Sequence, residues 1–183
     1  MFYHPCRIFF HPTYKKRLSK ILFSLIPENS FILDFGCGNG CISKQFASKK
    51  VICLDLKYSS NTKNFIQANG IYLPFKDKTF DVVIVVDVLH HTTDILKILT
   101  ELKRVTKSYI IIKEQAYTSR LTKLLILLGD SITNRKCLFN HLHRMTWLEI
   151  FQFLHLTVEE EPKNLSFGFF LTEKMNQIWK LKV

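Results

Sequence analysis

The sequence predicts an open α/β sheet, mostly parallel, that closes with an antiparallel C-terminal hairpin. Three observations carry this expectation. Short apolar runs rich in β-branched residues recur along the chain, the strongest being Phe80 to Val88, and such runs suit strands covered on both faces. Stretches with apolar residues at helical spacing lie between them. The tail carries two further strand-like runs, Leu156–Glu160 and Phe167–Thr172, separated by Pro162-Lys163-Asn164.

Taken in order, Thr13 to Ile26 reads as a helix, with Leu18, Ile21, Leu22 and Leu25 on one side and Pro27-Glu28-Asn29-Ser30 as its break. Phe31 to Phe35 is a buried strand running straight into glycines. A short helix is expected over Cys41 to Ser48, then a second strand from Val51 to Asp55. The polar stretch Lys57 to Lys63 is too short for a full helix, and Phe65 to Ala68 reads as a third strand. After the Phe80 run, Asp94 is placed to cap a helix that carries Ile95, Ile98, Leu99, Leu102 and Val105 on one face. Ser108 to Lys113 gives another strand. Ser119 to Leu128 is helical and expected to stop at Gly129. Thr146-Trp147-Leu148-Glu149 has the form of a capping box, opening a helix that ends near Leu154.

At 183 residues and 47% hydrophobic content the chain is long enough for one well-packed core and short for two. A single domain over 1–183 is expected, with 1–29 as a helical or lid segment, 30–115 as a ligand-binding half, and 116–183 as substrate-side helices and the hairpin. The net charge of +11 favours an anionic contact, but the basic residues are scattered from Arg7 to Lys182 and are mostly lysine, the pattern of a solvated face. Nucleic acid is therefore the second-choice partner. Cys6, Cys37, Cys41, Cys53 and Cys137 form no CxxC pair and are odd in number, which speaks against a disulfide framework or zinc ribbon. The N-terminus has no signal-like apolar core, and no apolar run approaches the ~20 residues of a membrane span. A soluble, cytoplasmic protein is expected.

The chemistry concentrates after the first strand. Gly36, Gly38 and Gly40 follow Asp34-Phe35 and alternate with Cys37 and Asn39; a dinucleotide fingerprint would place its third glycine at position 41, which is Cys. Such glycines let the backbone turn tightly and approach a ligand with no Cβ between. An acid at the loop's start, Asp34, suits a ligand that bears a cation. Asp55, ending the second strand beside Leu56, is placed to accept from two ribose hydroxyls, as acids there do in nucleoside-binding sheets.

Asp34-Phe35-Gly36-Cys37-Gly38-Asn39-Gly40, then Asp55, then Leu73-Pro74-Phe75 with Asp77 and Phe80-Asp81-Val82-Val83, then Asp87-Val88-Leu89-His90-His91, occur in an order that resembles the small-molecule class I methyltransferases. The likeness covers about residues 30 to 115. It implies a Rossmann-like sheet and S-adenosylmethionine as cofactor, with the glycine loop and the strand-end acid holding methionine and ribose, and the pair before Leu-Pro-Phe reading the adenine. That pair is usually Asp-Ala; here it is Asn69-Gly70, which offers a neutral amide in place of a carboxylate. The shortened stretch after Asp55, with Ile112-Lys113-Glu114, Phe139-Asn140-His141 and Trp147, resembles a compact branch of the group.

Asp87 and Glu114 both end strands on the ligand-bearing edge. Asp87 is expected beside the cofactor's methionine, and Glu114 as a residue that orients or deprotonates the acceptor. His91, just past the central strand, is the second catalytic candidate; its alternative role is as a loop residue. Cys37 resembles the nucleophile of some base methylators, but a small residue is simply needed there. His141-x-His143 is half a metal pattern without a third ligand at spacing, so no metal is expected. The cofactor side is thus an S-adenosylmethionine-dependent methyltransferase with a small-molecule or lipid-like acceptor. The alternatives are an RNA or protein methyltransferase, or a non-catalytic cofactor-binding partner subunit; the intact loop argues against the last, and the absence of an Asn/Asp-Pro-Pro-Tyr run argues against base N-methylation.

Overall fold

The structure is a computed structural model that describes residues 12–46, 49–58, 64–133, 140–160 and 175–183. Cys6, Cys137, Phe139 and the expected strand Phe167–Thr172 lie outside the described residues, as does most of the polar stretch after Lys57. Helix α1 (Pro12–Leu25) precedes β1 (Phe31–Phe35), β2 (Lys50–Asp55) and β3 (Phe65–Gln67); β4 (Phe80–Val86), α2 (Ile95–Val105) and β5 (Thr106–Tyr117) follow. The rest is α3 (Arg120–Thr133), the short β6 (Leu142–His143), α4 (Arg144–Phe153), β7 (Thr157–Glu160) and β8 (Asn176–Lys182).

The strands form one sheet in the order β3-β2-β1-β4-β5-β8-β7, with β6 added at the end of β5. Pairing is parallel from β3 through β5; β8 runs antiparallel to both β5 and β7. The order reverses between β1 and β4. A crevice opens at such a switch point beyond the carboxyl ends of the strands, because the chain leaves the two strands in opposite directions.

Side chains alternate between faces along each strand, and the core divides accordingly. Ile32, Val82, Ile84, Ile111 and Ile178 pack with Leu18, Leu22 and Leu25 of α1. Leu33, Val83, Val85, Ile110, Ile112, Trp179 and Leu181 pack with Leu99, Leu102 and Val105 of α2 and with Trp147 and Phe151 of α4. Asp94 caps α2 as expected, its Oδ1 accepting from the Lys97 amide at 3.0 Å.

Several elements depart from expectation. The helix over Cys41 to Ser48 is a single 3-10 turn, Ser43–Phe46, whose Ser43 hydroxyl is drawn inward to Asp34. Strand β5 runs well past Lys113 because β8 pairs with it from Tyr109 to Gln115 and β6 at Ala116 and Tyr117. Helix α3 continues through Gly129 to Thr133; a lone glycine costs a helix only about 1 kcal/mol, too little to end it. Helix α4 starts two residues before Thr146, capped by His143, whose Nδ1 accepts from the Met145 amide at 3.2 Å. The partner of β7 among the described residues is β8, a strand the sequence did not announce.

The Leu73-Pro74-Phe75 segment is docked on α2 by one side chain. Arg104 donates to the carbonyls of Leu73 (3.2 Å) and Phe75 (2.9 Å) and to the carboxylates of Glu101 (2.7 Å) and Asp77 (2.6 Å). Glu101 in turn accepts from the Leu73 amide at 2.7 Å, and Arg104 holds its carboxyl below the usual carboxylate range. Arg104→Gln should therefore lower stability by about 1.5–3 kcal/mol, the range for hydrogen bonds involving charged groups. Urea unfolding followed by circular dichroism measures it. A loss below about 0.5 kcal/mol would show the loop to be held by packing alone.

Candidate active site

The glycine loop is fixed from both sides. The amides of Gly36 and Cys37 donate to the Leu54 carbonyl at 2.7 and 3.1 Å, which locks the end of β1 to β2. The Gly38 amide donates to Asp55 Oδ2 at 2.8 Å, and Asp55 Oδ1 accepts from Lys57 at 3.1 Å. Gly36 has φ +71°, and a Cβ there would lie 2.4 Å from a methyl of Val88. Gly38 has φ +55°, but a Cβ there would meet nothing within 4 Å. The first glycine answers to packing and the second to conformation. Asn39 turns its Oδ1 back onto the Cys41 amide, at 3.2 Å.

Beneath the loop Asp34 is buried and accepts from the Ser43 hydroxyl. Burial pushes its carboxyl up to about 6; Ser43 opposes the rise and Asp55 adds to it. The buried Cys37 thiol is pushed strongly up, first by its contact with Cys53 and then by burial, so it stays protonated at neutral pH. It is a small packed residue and not an activated nucleophile.

A cleft of about 360 Å³ opens at the carboxyl ends of β1 and β2, at the switch point. Among the residues expected to bind cofactor, Gly36, Asp55, Leu56, Asn69 and Gly70 line it, and so does His91. Phe35, Ile71 and Ile98 supply apolar wall, and Thr92, Thr93 and Asp94 close the far side. None of these six was among the residues expected to bind cofactor. The Thr-Thr-Asp run directly after His91, in the loop between β4 and α2, was the available signal for the last three. Asn69 Oδ1 accepts from the Ile71 amide at 3.0 Å. Gly70 is a glycine for a steric reason: a Cβ there would lie 2.5 Å from the Phe35 ring. The Asn-Gly pair thus accompanies a phenylalanine in the loop, whose ring fills the space of an alanine methyl.

Asp34, Cys37, Gly38, Asn39, Gly40, Asp87 and Glu114 do not line this cleft. For Glu114 the difference is one of role. It is fully buried; Oε1 accepts from the amides of Val88 (2.7 Å) and Leu89 (2.6 Å), and Oε2 lies 2.6 Å from His90 Nδ1. With its lone pairs so engaged, Glu114 holds the turn Leu89–His91. Asp87, at φ +53°, receives the buried Lys113 ammonium on both oxygens, at 2.5 and 2.7 Å. Ligand atoms of Asp87, His90 and Glu114 lie within 4.8 Å of one another, but Lys113 already supplies the cation at Asp87.

The His90 imidazole feels burial pushing it down and Glu114 pushing it up, and the net direction is up. Its ring lies 4.0 Å from that of His91 and is stacked on His141 at 4.8 Å. Asn140 secures this approach, its amide donating to the His90 carbonyl and its side chain to the Thr92 carbonyl, both at 2.8 Å. His143 faces elsewhere, capping α4 and meeting the Tyr117 ring edge-on. The His-x-His pair therefore serves two separate contacts.

Residues 33–111 match the family described as a methyltransferase domain. That stretch, somewhat under half of the chain, is what it shares with this family. Over 86 residues it is 39% identical to the uncharacterized protein MJ0638 of Methanocaldococcus jannaschii, covering 44% of this chain and 38% of that one. Over 93 residues it is 33% identical to the O-methyltransferase rstn1 of Aspergillus nomiae, covering 42% and 41% respectively. The matched stretch thus spans about two fifths of each relative's length. Two solved structures share the fold at low identity. The 1,6-didemethyltoxoflavin-N1-methyltransferase of Burkholderia thailandensis, with its substrate and S-adenosylhomocysteine bound, gives TM-score 0.71 at 13% identity over 92% of this chain and 77% of that one. The PH0226 protein of Pyrococcus horikoshii gives 0.71 at 20% over 96% and 93%. The cleft's donor set fits S-adenosylmethionine: a carboxylate at Asp55, an amide at Asn69, and apolar walls from Phe35 and Ile98.

Gly36→Ala should damage the site more than Gly38→Ala. At Gly38 the only cost is left-handed backbone, about 1–2 kcal/mol, whereas at Gly36 the β-branched Val88 cannot move aside without shifting its turn. Thermal unfolding of both variants ranks them, and equal losses would refute the packing role of Gly36. A second expectation concerns Asp34. Its folded pKa lies above the unfolded one, so the folded state holds the proton longer and stability falls as pH rises from about 4 to 6. The effect is at most about 3 kcal/mol and should vanish in Asp34→Asn. Parallel stability–pH curves for the two proteins would contradict it.

Proposed function

We propose that the chain is an S-adenosylmethionine-dependent methyltransferase acting on a small or lipid-like acceptor. One observation carries this reading: Gly36 at the head of the glycine loop, Asp55 and the Asn69-Gly70 pair, distant in sequence, line a single cleft at the switch point of the sheet. Asp55 is assigned to the ribose hydroxyls and Asn69 to the adenine edge, with the rings of Phe35 and the side chain of Ile98 as walls. The loop from Gly36 to Gly40 is assigned to the methionine end, with Asp34 supplying negative potential from behind it, Asp87, paired with Lys113, fixing the turn beyond β4 next to it, and Leu56 bordering the ribose. The low identity of the solved relatives leaves the acceptor to be argued from the site. The small-molecule substrate of the Burkholderia protein and the O-methyltransferase name of the Aspergillus relative support the small-acceptor reading.

The bound cofactor supplies a methyl group already activated on a sulfonium. The chain's own task is then alignment and exclusion of water, which can supply much of the rate, and no dedicated base is obligatory. His91, in the cleft wall, is the residue placed to take a proton from the acceptor at a ring nitrogen. Glu114 acts through its neighbours: by fixing His90 and the two amides before it, it sets where His91 stands.

The test is cofactor affinity by titration calorimetry. Asp55→Ala removes a charge-assisted pair of acceptors and releases the Gly38 amide, so affinity should fall at least about tenfold. Asp55→Asn keeps an acceptor for Gly38 and should fall between Ala and wild type. Asp77→Ala is the control, because Asp77 is exposed, pairs with Arg104 and stands outside the cleft; its change should stay below about threefold, under 1 kcal/mol. Equal losses at positions 55 and 77 would mean the ribose acid has been assigned to the wrong strand end.

A further inference from the structure

Helix α3 has its apolar residues on both sides. Ile126 is buried against the fold, while Leu121, Leu124 and Leu128 stand 50–56% exposed on the opposite face and Leu127, 42% exposed, at its edge. A helix that is apolar all round normally has neighbours all round, and four exposed leucines on two turns form a patch that needs a partner. Arg120 and Lys123, both exposed, lie on and beside the same face. The chain as a whole carries +11. We propose that this face of α3 docks on an anionic lipid bilayer, the leucines entering the boundary between headgroups and acyl chains while Arg120 and Lys123 meet lipid phosphates.

The charge decides the occupant. A second copy packed on the same face would bring Arg120, Lys123 and a net +11 against their like, whereas an anionic surface complements all three. No helix among the described residues is long and apolar enough to cross a membrane, so α3 lies in the surface as an amphipathic anchor does. The leucine face is also continuous with the interior. A second cavity, about 480 Å³, lies between α2, α3 and α4; Leu96, Lys123, Leu127 and Leu142 line it, and Thr93 and Asp94 belong both to it and to the cofactor cleft. An apolar acceptor leaving the bilayer at α3 would meet this cavity, which adjoins the cleft at Thr93 and Asp94 and would be its path to it. That path, unlike the docking itself, rests on the methyltransferase reading.

Co-sedimentation of the full chain with phosphatidylcholine–phosphatidylglycerol vesicles tests the proposal, with phosphatidylcholine vesicles alone as comparison. Wild type should bind the mixed vesicles and bind the neutral ones only weakly. The double variant Leu124→Gln, Leu128→Gln keeps the net charge and exchanges two exposed side chains. Its vesicle affinity should fall at least about tenfold, while its calorimetric affinity for S-adenosylmethionine stays that of wild type. Undiminished binding would reduce the interaction to adsorption by charge and overturn the docking face. So would absence of binding to either vesicle, or a concentration-dependent dimer that the double variant dissolves. Vesicle binding by a protein that fails to bind S-adenosylmethionine would sustain the docking and remove the methyltransferase reading instead.

Discussion

Taking a carboxylate out of water costs several kcal/mol unless its lone pairs find donors. Glu114 meets that condition with two backbone amides and one imidazole, all within 2.7 Å, and each bond fixes a different part of the site. The amide bonds set Val88 and Leu89 at the end of the central strand. Val88 then fills the space that makes Gly36 a glycine, and Leu89 enters the core. The imidazole bond sets His90, on which His141 stacks and beside which His91 enters the cleft wall. One buried side chain thereby couples the glycine loop, the far wall of the cleft and the segment at Asn140.

The residue before it does the corresponding work on the other side of the sheet. Successive side chains of a strand point to opposite faces, so Lys113 and Glu114 diverge, and each reaches the chain just beyond β4. Lys113 holds Asp87 in a left-handed conformation that turns the backbone off the strand; Glu114 catches the next two amides. A buried ion pair is seldom a large net stabiliser. Its use here is to define one path for the chain at a point where a strand becomes the wall of a cleft. Asp34 shows the opposite balance: a buried carboxyl whose bonds from Ser43 do not offset its burial, pushed up to about 6.

The β-branched runs and the glycine loop were legible because their signals are local. Burial on both faces requires apolar runs, and a left-handed turn at a strand end requires glycine. Asp94 as a cap and Asp55 at its strand end follow the same logic. What escaped depends on distant partners. Strand β8 reads Asn176-Gln177-Ile-Trp-Lys-Leu-Lys, and nothing in that pattern says that Asn176 and Gln177 are buried beside Gln115 and Glu114 near the end of β5. The true cap of α4 is His143, since β6 brings the chain in at that residue. Glu114 was placed on the correct edge of the sheet, but its role turned on which amides stood opposite, and those belong to a turn 25 residues earlier in the chain.

The same distinction separates the two halves of the site. Its cofactor side is made of backbone turns and strand ends whose spacing is set by the sheet, so a short ordered set of motifs describes it. The acceptor side proposed above is assembled from side chains brought together by packing: His91 on a turn held by Glu114, Asn140 and His141 ahead of β6, Lys123 and Leu127 on α3. No fixed spacing links these residues, because each is anchored to a different element and only its final position matters. The leucine face of α3 belongs to this second kind as well. Read along the sequence, Leu121 to Leu128 is one more apolar run suited to a core; only the fold reveals that half of it faces outward. An enzyme whose donor is already activated needs little more from its acceptor side than shape, polarity and access, and those are properties of assembled surfaces rather than of motifs.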